Sequence, residues 1–376
     1  YTAGDVTSHN VGLFVQDQWS VNNRLTFNYG LRADRTYIPS YRPENPSLEF
    51  TFGEKIAPRV GFAFDMLGDA RWKMYGSWGI FYDIEKLEMP RGLWGADHWV
   101  QYTYTLDTFD WPNLDCADVN GETGCPGRLI ERLDRRHVSN DIANMLVDPN
   151  LKPMKAQEAT IGIDHELTQY SSVGVRYTHK WLNRAIEDVG VLDPLIGAEI
   201  FYIANPGDGI SEYPLGREYP PTPKAKRVYD GIDISYNRRL HNNWSLNTSV
   251  LFSRLWGNYT GLSNGQSESG RQAPNVTRAF DGLFMSYDSK GRPTYGRMGT
   301  DIPFQFKMLA TYVMPWGTSV GIDQRVQSGL LHTTSINYQS VPVPVYGYGD
   351  LGRTPMYSQT NLLFGHTFRL PGNTRF

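Results

Sequence analysis

Between Leu25 and Asp34 the chain reads LTFNYGLRAD, and its residues sort by parity. Leu25, Phe27, Tyr29, Leu31 and Ala33 fall on one side, Thr26, Asn28, Gly30, Arg32 and Asp34 on the other. A period of two is the pattern of a pleated strand, whose successive side chains point to opposite faces. The pattern recurs. Trp72, Met74, Trp78 and Ile80 oppose Arg71, Lys73, Ser77 and Gly79, and Val173, Val175, Tyr177 and Trp181 oppose Ser172, Gly174, Arg176, Thr178 and Lys180. Ile232, Ile234 and Tyr236 alternate with Gly231, Asp233, Ser235 and Asn237; Trp244, Leu246, Thr248, Val250 and Phe252 alternate with Ser245, Asn247, Ser249 and Leu251. One face is apolar and the other keeps carrying charge. The alternation predicts about eleven strands, near 9–20, 24–36, 55–65, 72–82, 156–168, 171–183, 227–240, 243–256, 302–313, 318–327 and 359–369.

Most of these strands run ten residues or more, whereas strands in soluble domains peak at about 5–6 and roughly 9–11 tilted residues cross a bilayer. The connections alternate as well. Short turns at VNN, LGDA, TQY, HNN and MPWG are separated by long segments, among them Asp83–Lys155, Arg184–Lys226, Gly257–Asp301 and Ser328–Ser358. A soluble sandwich has no reason to put every long loop at one end, whereas outer-membrane barrels have short periplasmic turns and long outer loops. Trp19, Trp72, Trp244 and Trp316 lie beside the short turns, and Tyr82, Trp181 and Trp256 lie where strands meet long loops. Amphipathic rings prefer the two membrane interfaces. The pattern therefore predicts an all-β fold, a transmembrane antiparallel β-barrel or part of one. Its apolar faces meet outer-membrane lipid and its polar faces a wet lumen, since a bilayer offers no partner for open strand edges.

Composition agrees and narrows the function classes. Aromatic residues make up 13% of the 376 residues, with 37 Gly and 23 Pro, a balance that suits strands and turns. A net charge of −3 is not the footprint of a nucleic-acid binder, so no nucleic-acid partner is expected. Apolar runs such as VGLFV at Val11–Val15 fall far short of the roughly 20 residues of a spanning helix. The opening YTAGDVTSHN lacks the features of a secretory signal, so the chain reads as mature or as a fragment.

Candidate chemistry is sparse. GYGDLG at Gly347–Gly352 matches a dinucleotide-binding spacing, yet it opens no helix and is followed by Pro355, so it reads as a loop. Asp118, Asn120 and Gly121 imitate part of a calcium loop, but Cys116 and Gly127 stand where its first and last ligands belong. No metal site and no cofactor are expected. The eight histidines lack any catalytic context, and no enzymatic activity is expected. His179 and Trp181, both on the apolar parity, read as an interfacial pair. Cys116 and Cys125 suit a local disulfide in an oxidising compartment, with free thiols as the alternative. The longest loop carries Trp94, Trp99, Tyr102, Tyr104 and Trp111 on a polar background. Exposed, these rings would stack on sugars or grip peptide side chains; the alternative is a hairpin packing a small core of its own over the barrel mouth.

The stretch VGLFVQDQWSVNNRLTFNYGLRADRTY (Val11–Tyr37) resembles a barrel segment of TonB-dependent outer-membrane receptors. The likeness continues through APRVGFAFD (Ala57–Asp65) and YGSWGIFYD (Tyr75–Asp83). VYDGIDISYNRRLHNNWSLNTSVLFSRLWGNYTG (Val228–Gly261) resembles the Oar-like branch of these receptors. The resemblance implies a barrel of 22 strands with an N-terminal plug, energised from the inner membrane by the TonB complex, that takes up a large extracellular ligand such as a siderophore, saccharide or peptide. On that reading residues 1–376 are a C-terminal portion of the barrel domain, with the plug and the final strands outside this chain. The rival readings are a passive porin or outer-membrane adhesin, and a soluble secreted β-rich carbohydrate-binding protein.

Overall fold

The computed structural model describes residues 7–39, 47–87, 100–107, 109, 127–134, 147–148, 150–189, 191–193, 198–200, 203–208, 223–259, 261, 288, 290, 292–338, 341–370 and 374–375. Eleven long strands follow one another through a single antiparallel sheet, each hydrogen-bonded to its neighbours in sequence. They are β1 (His9–Val21), β2 (Leu25–Ile38), β3 (Ile56–Asp65), β4 (Trp72–Tyr82), β5 (Lys155–Thr168), β6 (Ser171–Arg184), β7 (Arg227–His241), β8 (Trp244–Gly257), β9 (Phe304–Val313), β10 (Thr318–Gln327) and β11 (Tyr357–His366). Short strands Leu48–Phe50 beside β2 and Gly296–Arg297 beside β8 complete the sheet. Every predicted strand is present, the largest displacement being β11, which begins and ends earlier than the alternation suggested. Among the described residues β1 and β11 each lack a neighbour on their outer side, so the sheet is open.

Register turns the sequence pattern into two surfaces. Phe27 stands opposite Trp19 and Phe62; Ile234 stands opposite Val175 and Val250, and Val250 opposite Phe306. These side chains are exposed: Val175 is 46% accessible, Ile234 41% and Val15 69%. A surface of this extent and apolarity is incompatible with water and suits lipid. The opposite face holds Arg32, Arg59, Asp164, Arg176, Asp233, Lys307 and Arg325. Glycines on that face make room for long neighbours. The Tyr75 ring lies across Gly162, where a Cβ would come within 2.5 Å of its Cζ.

The short connections follow from turn chemistry. His241 pairs with Trp244, so Asn242 (φ 50°) and Asn243 (φ 73°) form a two-residue turn with both residues left-handed. That is the twist-matched hairpin turn, and Asn tolerates its conformation better than most residues. Between β1 and β2, where Val21 pairs with Leu25, Asn22 (φ 57°) and Asn23 (φ 53°) are again left-handed, in a three-residue connection completed by Arg24. Side chains then tie one turn to the next. Arg24 Nε donates to the Asp65 carbonyl at 3.0 Å, Arg71 reaches the Glu166 carbonyl at 3.3 Å, and the rings of Tyr170 and His241 stack 3.6 Å apart.

The main buried core is at the other end. Ile38, Phe50, Leu151, Ile186, Ile203 and Tyr259, brought together from the bases of four long connections, form the larger of two buried clusters among the described residues. The sheet itself buries little, as expected of a wall with solvent of one kind or another on both faces. Short hairpins also appear inside the long connections, including Val100–Tyr104 with Leu129–Asp134 and Ser335–Tyr338 with Val341–Pro344.

Candidate functional site

The polar face of the sheet is the first part of the site. Some of its charges are paired on the spot: Arg32 with Asp34 at 2.7 Å, Lys180 with Glu158 at 2.6 Å and Arg325 with Asp323 at 3.4 Å. The guanidinium of Arg59 lies 4.7 Å from the Phe81 ring centre and the ammonium of Lys73 5.2 Å from that of Tyr75. A groove of about 860 Å³ between β1 and β4 is lined from this face by Asn28, Arg32, Arg59, Tyr75 and Ser77. Such a surface offers both signs of charge and flat aromatic area, and it selects for no single ligand.

Above it the bases of the long connections are locked by buried polar groups. Lys55 and Glu85, both almost fully buried, meet at 3.5 Å, and Lys55 Nζ also donates to Thr36 Oγ1 at 3.1 Å and to the Asp83 carbonyl at 3.2 Å. Burial pushes the Glu85 carboxyl up to about 7; Lys55 opposes that rise and Asp83 adds to it. Burial, with the nearby Glu187 carboxylate, likewise holds the Tyr259 hydroxyl well above its ordinary value. Asp301 is fully buried and joins three segments. Its Oδ1 accepts from the Leu255 amide at 2.6 Å, and its Oδ2 meets Arg297 at 2.9 Å and Arg353 at 2.5 Å. Arg353 also donates to the carbonyls of Asp301 at 2.7 Å and Gly329 at 3.0 Å. Asn205 does similar work, accepting from the Lys152 amide at 2.7 Å and donating to the Ala185 carbonyl at 2.8 Å. None of these residues was singled out by sequence reasoning, because most of the contacts join segments far apart in the chain, and the local one, Arg297 with Asp301, belongs to no motif.

Of the aromatic set in the longest loop, Tyr102 and Tyr104 are described. Both are half-buried on the strand Val100–Tyr104. Arg132 on the facing strand donates to the Tyr102 hydroxyl at 3.5 Å, with its guanidinium 5.8 Å from the ring centre. Trp94, Trp99, Trp111, Cys116 and Cys125 lie outside the described residues. The hairpin is closed by the Thr105 amide on the Arg128 carbonyl at 2.9 Å, and Leu106 and Phe109 beyond it are exposed. Gly127 has φ +104°, and a Cβ there would strike the Thr105 carbonyl oxygen, so this closure requires glycine. GYGDLG falls in turns, as its context suggested. Among the described residues no group of three or more His, Cys, Asp or Glu side chains is placed to hold a metal ion.

Comparison with known proteins bears on this arrangement. The TonB-dependent transporter Oar of Myxococcus xanthus is 26% identical over 97% of this chain, which covers 34% of Oar. The FrpB iron transporter from Neisseria meningitidis (F3-3 variant) superposes with a TM-score of 0.53 at 8% identity, over 97% of this chain and 39% of that one. The apoprotein form of its F5-1 variant gives 0.51 at 8% identity, over 97% and 40%. At these identities the two solved structures speak for the fold alone. The chain spans about a third of the length of the curated relative it matches. The family model described as an outer membrane beta barrel domain matches residues 47–340. That is most of the chain, and it agrees with one lipid-compatible face and one charged face on long antiparallel strands. This chain therefore belongs to the outer membrane beta barrel domain family and is a protein of the cell outer membrane.

Proposed function

We propose that this chain is part of the barrel of a TonB-dependent receptor that takes up a ligand too large for simple diffusion. The observation that carries the reading is the 26% identity to a TonB-dependent transporter along nearly the whole chain, on a sheet with a charged face and its long connections at one end of the strands. In this account the long connections lie outside the cell and capture ligand. The face bearing Arg32, Arg59 and Arg176 lines the passage, and a plug carried elsewhere in the protein gates it and contacts the inner-membrane TonB complex. Strands outside this chain cover the free edges of β1 and β11. The relatives are transporters, and no catalytic step is proposed.

The loop aromatics Trp94, Trp99, Tyr102, Tyr104 and Trp111 are proposed as ligand contacts, with Arg132 fixing Tyr102. Cys116 and Cys125 are proposed to be bridged, since the Thr105–Arg128 closure flanks the segment that contains them. Mass spectrometry of protein isolated without reductant should find that bridge; two free thiols would refute it. The function is tested on the natural full-length protein, purified in detergent and passed over the immobilised periplasmic domain of TonB from the same organism. Retention, with no steady conductance in a planar bilayer, is expected. An open pore without retention would establish a porin instead.

A further inference from the structure

A row of the apolar face across the middle strands carries charge. Across β5 to β8 the register sets Ala159, His179, Asp230 and Arg254 side by side. The next row toward the middle of the sheet holds Ile161, Tyr177, Ile232 and Phe252, and the row beyond that Ile163, Val175, Ile234 and Val250. The row toward the long connections holds Gln157, Trp181, Val228 and Trp256. The charged row is therefore bounded by hydrocarbon-facing aliphatics on one side and by interfacial tryptophans on the other.

The Asp230 carboxylate is fully engaged. It accepts from the Tyr177 hydroxyl at 2.7 Å and from Arg254 at 3.0 Å, and it meets His179 Nδ1 at 2.8 Å. Arg254 is not. Its side chain is 55% exposed and one nitrogen, Nη2, is used; its other donors have no partner among the described residues. Just outside β7, Lys226 places its ammonium 5.1 Å from the Tyr295 ring centre, and Tyr295 stacks on Trp256 at 5.6 Å with an interplanar angle of 17°. Lys226 lies four residues along the chain from Asp230, the partner of Arg254, and Val228 between them pairs with Trp256, so two cations flank one aromatic plate on the outward face.

Depth decides what this group can meet. Two residues along a strand advance about 6.7 Å, which at a tilt of about 45° is roughly 5 Å of depth. Tryptophan rings sit at headgroup level, so the Arg254 row lies about one such step beneath them, near the phosphate and ester zone. An outward arginine is costly at mid-bilayer and nearly free there. What remains unsatisfied at that level is a forked cationic donor, and phosphate matches its geometry.

We propose that Arg254 and Lys226 bind the phosphorylated sugar headgroup of an outer-leaflet glycolipid, with Trp256 packing against it. Asp230 acts as a positioning residue that holds Arg254 outward. The site rests on the placement of the long connections outside the cell, which the labelling experiment in the Discussion tests separately.

The test uses the natural full-length protein in detergent and native mass spectrometry. The probes are bis-phosphorylated lipid A, the same lipid without phosphates, phosphatidylglycerol and inorganic phosphate. Retention of lipid A should fall about fivefold in Lys226→Gln and about 25-fold in Lys226→Gln/Arg254→Gln, one factor per charge removed. Lys226 lies outside the strands, so its single variant reports on the site even where the double variant assembles poorly. The dephosphorylated lipid should bind weakly, and inorganic phosphate should fail to displace lipid A. Equal retention by the wild type and both variants, or equal binding of the dephosphorylated lipid, would overturn the proposal. Displacement by inorganic phosphate would mark a bare anion site and overturn the lipid assignment. Preference for phosphatidylglycerol would overturn the outer-leaflet placement.

Discussion

Ile234 and Ser235 are neighbours in the chain and face different solvents. Ile234 shares a row with Val175 and Val250, whereas Ser235 shares one with Gly174 and Ser249 on the face that bears Arg176 and Asp233. An arginine facing lipid near mid-bilayer costs roughly 2–4 kcal/mol, while a lumenal one stays hydrated. Ile234→Arg and Val250→Arg should therefore lower the yield of assembled, heat-modifiable protein in the outer-membrane fraction, and Ser235→Arg and Ser249→Arg should leave it nearly unchanged. Equal yields from both pairs would contradict the sidedness. Glu85 provides a second prediction on this scale. Its carboxyl is held near 7 when buried, against an ordinary value of 4.5, so the folded junction binds a proton more tightly than the opened one. Its contribution to stability is fully present below about 4.5 and is lost as pH rises through about 7. Limited proteolysis after Asp83 should accelerate across that window, and Glu85→Gln should remove the acceleration. A pH-independent wild type would show that Lys55 and Glu85 do not hold this junction.

Strands and short turns were legible in the sequence because their causes are local. A period of two over ten or more residues has one physical reading, and the pairs Asn22–Asn23 and Asn242–Asn243 mark turns because asparagine accepts the left-handed conformation that a tight hairpin demands. The bases of the long connections were not legible. Ile38, Phe50, Leu151, Ile186, Ile203 and Tyr259 come from separate segments, and no window of sequence shows that they meet. The same is true of Asp301, whose partners Leu255, Arg297 and Arg353 belong to β8 and to two long connections. The aromatic loop is an intermediate case: a hairpin was one of its two readings, and the structure places Tyr102 and Tyr104 on one. Asp301 also yields a prediction for whole elements. Asp301→Asn keeps the shape and removes the charge that two arginines share, at a cost of about 1.5–3 kcal/mol for hydrogen bonds to a charged group. Segments 292–303 and 328–356 should then become protease-sensitive together. Sensitivity confined to one of them would show that Asp301 does not couple the two.

Over the whole molecule, a sheet with an apolar outer face and a charged inner face can persist in a bilayer only if its edges are covered, because lipid satisfies no backbone group. The edges at β1 and β11 are what the remainder of a larger barrel would cover, in keeping with a chain that spans about a third of its curated relative. The alternation of short and long connections puts the long ones at one end of the strands, and the proposed function places that end outside the cell. Everything proposed for ligand capture, for passage along the lumen and for the site at Arg254 depends on which end faces the medium. The most direct measurement is labelling of single cysteines on intact cells with a maleimide too large to cross the outer membrane, in a background where Cys116 and Cys125 are replaced. Tyr346 and Phe109 are 76% and 78% exposed on long connections, and Trp316 is 67% exposed in a short turn, with Asp69 exposed in another. Tyr346→Cys and Phe109→Cys should label on whole cells, while Trp316→Cys and Asp69→Cys should label only after the envelope is opened. Labelling of Trp316→Cys and Asp69→Cys on intact cells, with Tyr346→Cys and Phe109→Cys protected, would invert the orientation and contradict the receptor account.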